Sequence, residues 1–135
     1  MPVRLARTQF DALVDEAVDH LPAWVGEHMQ NVYVTTAMWP TREQLESSRV
    51  GRHALLLGLY EGVPLTRRGH GYHLITPDRI TLFQRSLELV ATDDRDLVRL
   101  VQSTIVHEIG HHFGMSEEEL DRLNLSSLAL ASRTS

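Results

Sequence analysis

The chain has 135 residues, 42% of them apolar, which is enough for one domain with a modest core and too little for a second. Thirteen Lys and Arg stand against eighteen Asp and Glu, a formal charge of -5, and no basic block extends beyond Arg67 and Arg68, so phosphate backbones are repelled and nucleic acid is not an expected partner. Cysteine is absent, which excludes disulfides, thiolate metal sites and a cysteine nucleophile, and leaves His, Asp and Glu to supply any metal ligands.

Thr8 is placed to cap a helix whose apolar residues Phe10, Leu13, Val14, Ala17, Val18 and Leu21 recur at spacings of three and four, ending before Pro22. Gln9, Asp11, Asp15 and Glu16 interrupt the stretch after Arg4 and Arg7, so no apolar signal region is expected there. Asn31 to Met38 is rich in β-branched and aromatic residues and stops at Pro40, the pattern of a strand, and Thr41 to Ser48 fits a short helix or turn. Ala54 to Tyr60 is apolar on both faces and reads as a strand covered on both sides; it is far too short to cross a bilayer, and the expectation is a soluble, cytoplasmic protein with no membrane partner.

Glu61 to Pro77 is punctuated by Gly62, Pro64, Gly69 and Gly71 and reads as a long connection. His70 and His73, with Tyr72, are candidate donors to a developing oxyanion inside it, although the same residues suit an ordinary surface loop. Arg79 to Gln84 returns to strand character. From about Arg95 to Phe113, behind Asp93 and Asp94, the residues Leu97, Val98, Leu100, Val101, Ile105, Val106, Ile109 and Phe113 predict a buried helix with acids at its positive end. Residues 125–135 carry no strong pattern and are expected to fray.

The chemistry sits on the last two turns of that helix, in HEIGHHFG, His107 to Gly114. A helix advances about 100° per residue, so His107 and His111 project from one face and two imidazoles can share one ion. Glu108, rotated by one residue, stands beside the ion and is suited to deprotonate a water held on it, the HExxH arrangement of zinc metallopeptidases. Gly110 leaves room for close approach, and Gly114 stands where a helix end favours a left-handed residue. Ser116 and Glu119 fit a capping box for a following helix through Asp121 and Leu123. Glu117 stands three residues after the glycine, where HExxHxxGxxH/D proteins put a third ligand after doubling back; Glu118 is the alternative, and helix-start acidity accounts for either residue without a metal. His112 points about 100° away from the ligand face, as a solvent, supporting or core histidine would. Met115 fits simple packing. His20, His28 and His53 have no informative spacing.

HEIGHHFGMSEEELDRL, preceded by PDRITLFQRSLELV and by LLGLYEGVPL, resembles the small bacterial zincin-like metallopeptidases, whose hallmark is HExxHxFG followed by a short acidic segment. The resemblance runs from the N-terminal helix to about Leu123. It implies an α/β (α+β) minimal zincin fold over residues 1–135, a small mixed sheet on an active-site helix, with the strand before that helix, here Arg79 to Gln84, as an edge that binds an extended peptide. Members of the family commonly carry Asp where this chain has Glu117.

The expected activity is zinc-dependent hydrolysis of peptide bonds, one Zn2+ held by His107, His111 and Glu117, with Glu108 as general base on the zinc-bound water and then as proton donor to the leaving amine. The substrate class is peptide or protein. The alternative on the same fold is a non-catalytic metal-binding or peptide-interaction module.

Overall fold

The computed structural model describes residues 3–48, 55–62 and 77–122. Along the chain these form α1 (Arg7–Asp19), α2 (Ala23–His28), β1 (Val32–Ala37), α3 (Arg42–Ser47), β2 (Gly58–Glu61), β3 (Asp78–Phe83), α4 (Gln84–Val90) and α5 (Asp94–His112). A sixth helical stretch, residues 117–122, follows and is called α6. The architecture is α+β, a small mixed sheet with helices, and no helix among the described residues is long and apolar enough to cross a membrane.

The described strands form one sheet in the order β1-β3-β2. β1 runs parallel to β3, Val32 opposite Asp78 and Ala37 opposite Phe83. β2 runs antiparallel to β3, Gly58 opposite Leu82 and Glu61 opposite Arg79. The segment expected to bind a peptide at its edge, Arg79 to Gln84, is therefore the central strand: both of its sides are already hydrogen-bonded, and Gln84 itself opens α4. Strand order depends on long-range pairing that local periodicity does not encode. Of the segment expected as a doubly covered strand, Ala54 to Tyr60, residue 54 lies outside the described residues; the described part enters a strand at Gly58, and that strand flanks β3 on one side.

α5 organises the core. Leu97, Val101, Ile105 and Ile109 repeat every four residues and are wholly buried, packed with Phe10, Val14 and Ala17 of α1, Val25 of α2, Ile80 and Leu82 of β3, and Leu87 of α4. Each fully buried aliphatic or aromatic side chain of this kind contributes about 1.5–3 kcal/mol. Asp93 caps α5 by accepting the Asp96 N–H at 2.7 Å, and the Asp96 carboxylate accepts the Thr92 N–H at 2.8 Å, so acids satisfy orphan donors at the positive end. Thr8 lies inside α1; the cap position belongs to Ala6, whose N–H donates to the Gln9 side chain at 3.0 Å. Thr41 caps α3 by accepting the Gln44 N–H, at 3.1 Å.

Glu88 of α4 is a buried carboxylate with its bonds satisfied. It accepts the Leu5 N–H at 2.7 Å and the Arg85 guanidinium at 2.6 Å, while Gln84 donates to the Leu5 carbonyl at 3.0 Å. This network fixes the segment before α1 to the start of α4. Pairing is what makes the buried charge tolerable.

Candidate metal centre and active site

Since Leu97, Val101, Ile105 and Ile109 turn inward, the other face of α5, with Leu100, Ser103, Thr104, His107 and His111, turns to a cleft. The cleft has a volume of about 960 Å³, and Leu56, Leu57, Gly58 and Leu59 line its other side. The two walls touch closely. A Cβ at Gly58 would stand 2.6 Å from Thr104 Cγ2 and 3.2 Å from the Thr81 carbonyl oxygen, so the absence of a side chain lets β2 lie against α5.

The end of α5 sets the metal-ligand candidates. Gly114 has φ 79°, Met115 N–H donates to the Gly110 carbonyl at 2.8 Å, and Gly114 N–H donates to that of His111 at 3.2 Å, together a Schellman motif. The left-handed residue expected at Gly114 is thus present, and the chain doubles back. Ser116 Oγ accepts the Glu119 N–H at 3.1 Å and donates to the Glu119 carboxylate at 3.1 Å, capping α6. Leu120 then drops, fully buried, onto Gly110, where a Cβ would stand 2.1 Å from Leu120 Cδ2. The room at Gly110 serves this helix-to-helix seam. Leu120 thereby fixes the rotation of α6, which aims the face carrying residues 117 and 121 at the two histidines.

The His107 and His111 rings have centroids 6.0 Å apart. His107 Nδ1 lies 3.0 Å from the Ser103 carbonyl oxygen, an acceptor, so this nitrogen carries the proton and the neutral ring keeps its lone pair on Nε2, towards the acids. Glu117 spans both rings: Oε1 bonds to His111 Nε2, and Oε2 lies 3.7 Å from His107 Nε2. Asp121 Oδ1 lies 3.9 Å from the same nitrogen. Convergent imidazole nitrogens and carboxylate oxygens are the donor types that suit zinc. Glu118 is exposed and is not among the grouped donors.

Glu108 lies deeper. Burial pushes its carboxyl above the ordinary value of 4.5, opposed by the nearby His111 and His107 and by a hydrogen bond from the Tyr60 backbone N–H. The Phe83 N–H donates to the Leu57 carbonyl at 3.0 Å, which by antiparallel alternation turns the backbone groups of Gly58 and Tyr60 away from β3. Glu108 therefore meets β2 on that outward side. The Tyr60 ring stacks on His112 at 3.9 Å and 14°, and its hydroxyl donates to Asp78 at 2.6 Å. His112 touches Phe113, which in turn meets His28, at centroid distances of 5.0 and 4.7 Å.

Compared at the level of families, residues 29–126 match the zincin-like metallopeptidases. The chain belongs to that family. A comparison with curated proteins gives no match. The matched zincin-like region takes in the whole described sheet together with α3 to α6, and begins just after α2, so α1 and α2 lie outside it. Membership implies zinc binding; among the described residues His107, Glu117 and Asp121 place donor atoms within 4.8 Å of one another, and His111 adjoins them through its bond to Glu117.

Two participants escaped the sequence reading. Asp121 carries a readable signal, the same four-residue spacing from Glu117 that separates the two histidines. Tyr60 carries none, because its contact with Glu108 runs through the backbone. His70, Tyr72, His73 and His53 lie outside the described residues, as does the 125–135 segment. His20 Nδ1 bonds to the Glu16 carbonyl at 2.9 Å, a local helix contact. Met115 packs against the core, as expected, and also borders the cleft.

Proposed function

We propose that the protein is a zinc-dependent peptidase, with His107, His111 and Glu117 holding the ion and Glu108 acting as its acid and base. One observation carries the reading: two imidazoles and a carboxylate converge at the mouth of a cleft while the neighbouring Glu108 is buried beside them with a raised pKa. Zinc bound there would supply positive charge, polarising a peptide carbonyl and acidifying a water molecule.

Glu108 accepts the proton as water adds to the carbonyl carbon and returns it to the amide nitrogen as the C–N bond breaks, so no side chain becomes covalently attached. Its raised pKa makes the carboxylate a stronger base towards the water and holds the proton on the carboxyl until the leaving nitrogen takes it. The Tyr60 N–H keeps the carboxylate beside the strand. An extended peptide has an acceptor for its main chain along β2, where the backbone of Gly58 faces away from β3. Leu56, Leu57 and Leu100 make the cleft apolar, which favours substrates with apolar side chains next to the scissile bond. A cytoplasmic location is part of the same proposal.

The test is Glu108→Gln assayed on a peptide library, with zinc affinity measured in parallel. Loss of turnover with unchanged affinity supports the peptidase. If the wild-type protein, loaded with zinc, cleaves nothing and the substitution changes only metal affinity, the non-catalytic metal-binding module is the correct reading.

A further inference from the structure

We propose that Asp121 is a fourth protein ligand of the metal, which closes the resting site with two imidazoles and two carboxylates; the inference rests on the metal centre proposed above. Glu117 and Asp121 stand four apart on α6, as His107 and His111 do on α5, so two one-turn pairs face each other across the Gly114 turn. Glu117 Oε2 and Asp121 Oδ1 lie 3.7 and 3.9 Å from His107 Nε2, and the three donors fall within 4.8 Å of one another. Donor atoms around one tetrahedral zinc at ~2.0–2.2 Å stand about 3.3–3.6 Å from each other. His111 adjoins this group through Glu117, whose Oε1 bonds to His111 Nε2, and Leu120, buried against Gly110, holds α6 against α5 beside both histidines. Among the described residues, the imidazole nitrogen within 4.0 Å of the Asp121 carboxylate is His107 Nε2.

The fourth carboxylate changes what the site does at rest. Four protein donors complete a tetrahedral shell, whereas catalytic zinc sites hold three and leave one position open. With zinc bound, Asp121 would have to release it before a water or a peptide carbonyl could take that position. Its position permits this, since the side chain is 65% exposed.

The experiment measures Zn2+ affinity by competition with a chromophoric chelator, and counts exchangeable water on bound Co2+ by solvent-proton relaxation, in the full chain. Asp121→Ala is expected to raise the zinc Kd about 10- to 100-fold and to gain a water on Co2+. Asp121→Asn, of the same shape, is the second variant should the alanine chain fail to fold. Glu119→Gln removes the same charge from the same helix, keeps an oxygen for Ser116, and is expected to match wild type. Wild-type affinity and water count in both Asp121 variants overturn the inference, as does an equal loss in Glu119→Gln. A wild type that binds neither ion overturns it together with the metal reading. Weakened binding in Asp121→Ala, in a protein that cleaves no peptide, upholds Asp121 as a ligand and removes only the peptidase.

Discussion

Replacing Gly110 by alanine puts a methyl carbon into the seam between α5 and α6. That carbon would stand 2.1 Å from Leu120 Cδ2 and 2.9 Å from Leu120 Cγ and Cδ1. Carbon atoms pack favourably at about 3.5–4.0 Å, so α6 has to withdraw by roughly 1.5 Å or Leu120 has to change rotamer. Leu120 is fully buried, which leaves a rotamer change no free space. Overpacking of this kind costs about 1–3 kcal/mol, offset by the ~1 kcal/mol that alanine gains over glycine inside a helix, so the net loss of stability is modest. The effect on the metal is not modest. Glu117 and Asp121 ride on α6, and metal sites tolerate ligand displacements of about 0.2 Å, well under the withdrawal required. Gly110→Ala is therefore expected to lower zinc affinity more than tenfold in chelator competition while thermal unfolding of the zinc-free protein shifts by only a few degrees. The double substitution Gly110→Ala with Leu120→Ala removes the clash and should recover part of the affinity. Wild-type zinc affinity in Gly110→Ala would refute the claim that the Leu120 contact positions the acidic ligands.

Gly58→Ala should separate the wall of the cleft from its metal: the new Cβ meets Thr104 Cγ2 at 2.6 Å, so kcat/KM on a peptide substrate falls and zinc affinity holds, and a fall in zinc affinity would count against that division. Glu88→Ala leaves Arg85 and the Leu5 N–H without their buried acceptor and should cost about 3 kcal/mol in urea unfolding of the zinc-free protein. Zinc affinity should not change, since that network lies on α4. Glu108 has a folded-state pKa raised above 4.5, so its contribution to stability is fully present below the unfolded value and is lost as pH rises through the folded one. Zinc-free Glu108→Gln is thus expected to melt higher than wild type at neutral pH and to lose that advantage in acid below 4.5; a lower melting temperature at neutral pH contradicts the burial of the charge.

The site was more legible than the sheet. Local rules were enough for α5, its Asp93 cap, the Gly114 turn and the Ser116 cap of α6, since each depends on residues within a turn or two of one another. β1 followed from its run of Val32, Tyr33, Val34, Thr35 and Thr36. α2 and α4 were not legible. Pro22 reads as the end of one helix, yet it also stands at the cap of the next. α4 begins directly from β3 with Phe83 at its cap position, a residue that offers no capping side chain. The edge assignment failed for a different reason, because which strand lies in the middle is settled by pairing between segments far apart in sequence, and β3 has a partner on each side. Tyr60 joins Glu108 through its N–H, His112 through its ring and Asp78 through its hydroxyl, three contacts that follow only once strand and helix are docked.

The Gly114 turn keeps every proposed ligand within positions 107 to 121. Gathering donors so near in sequence requires closing only a short loop, whose entropic cost is small and grows slowly with length. Ion capture then depends little on distant strand pairing, and a helix–turn–helix fragment could be grafted onto another helical scaffold with its donors in register. What such a graft would lack is β2, and with it the surface along which a peptide could be laid.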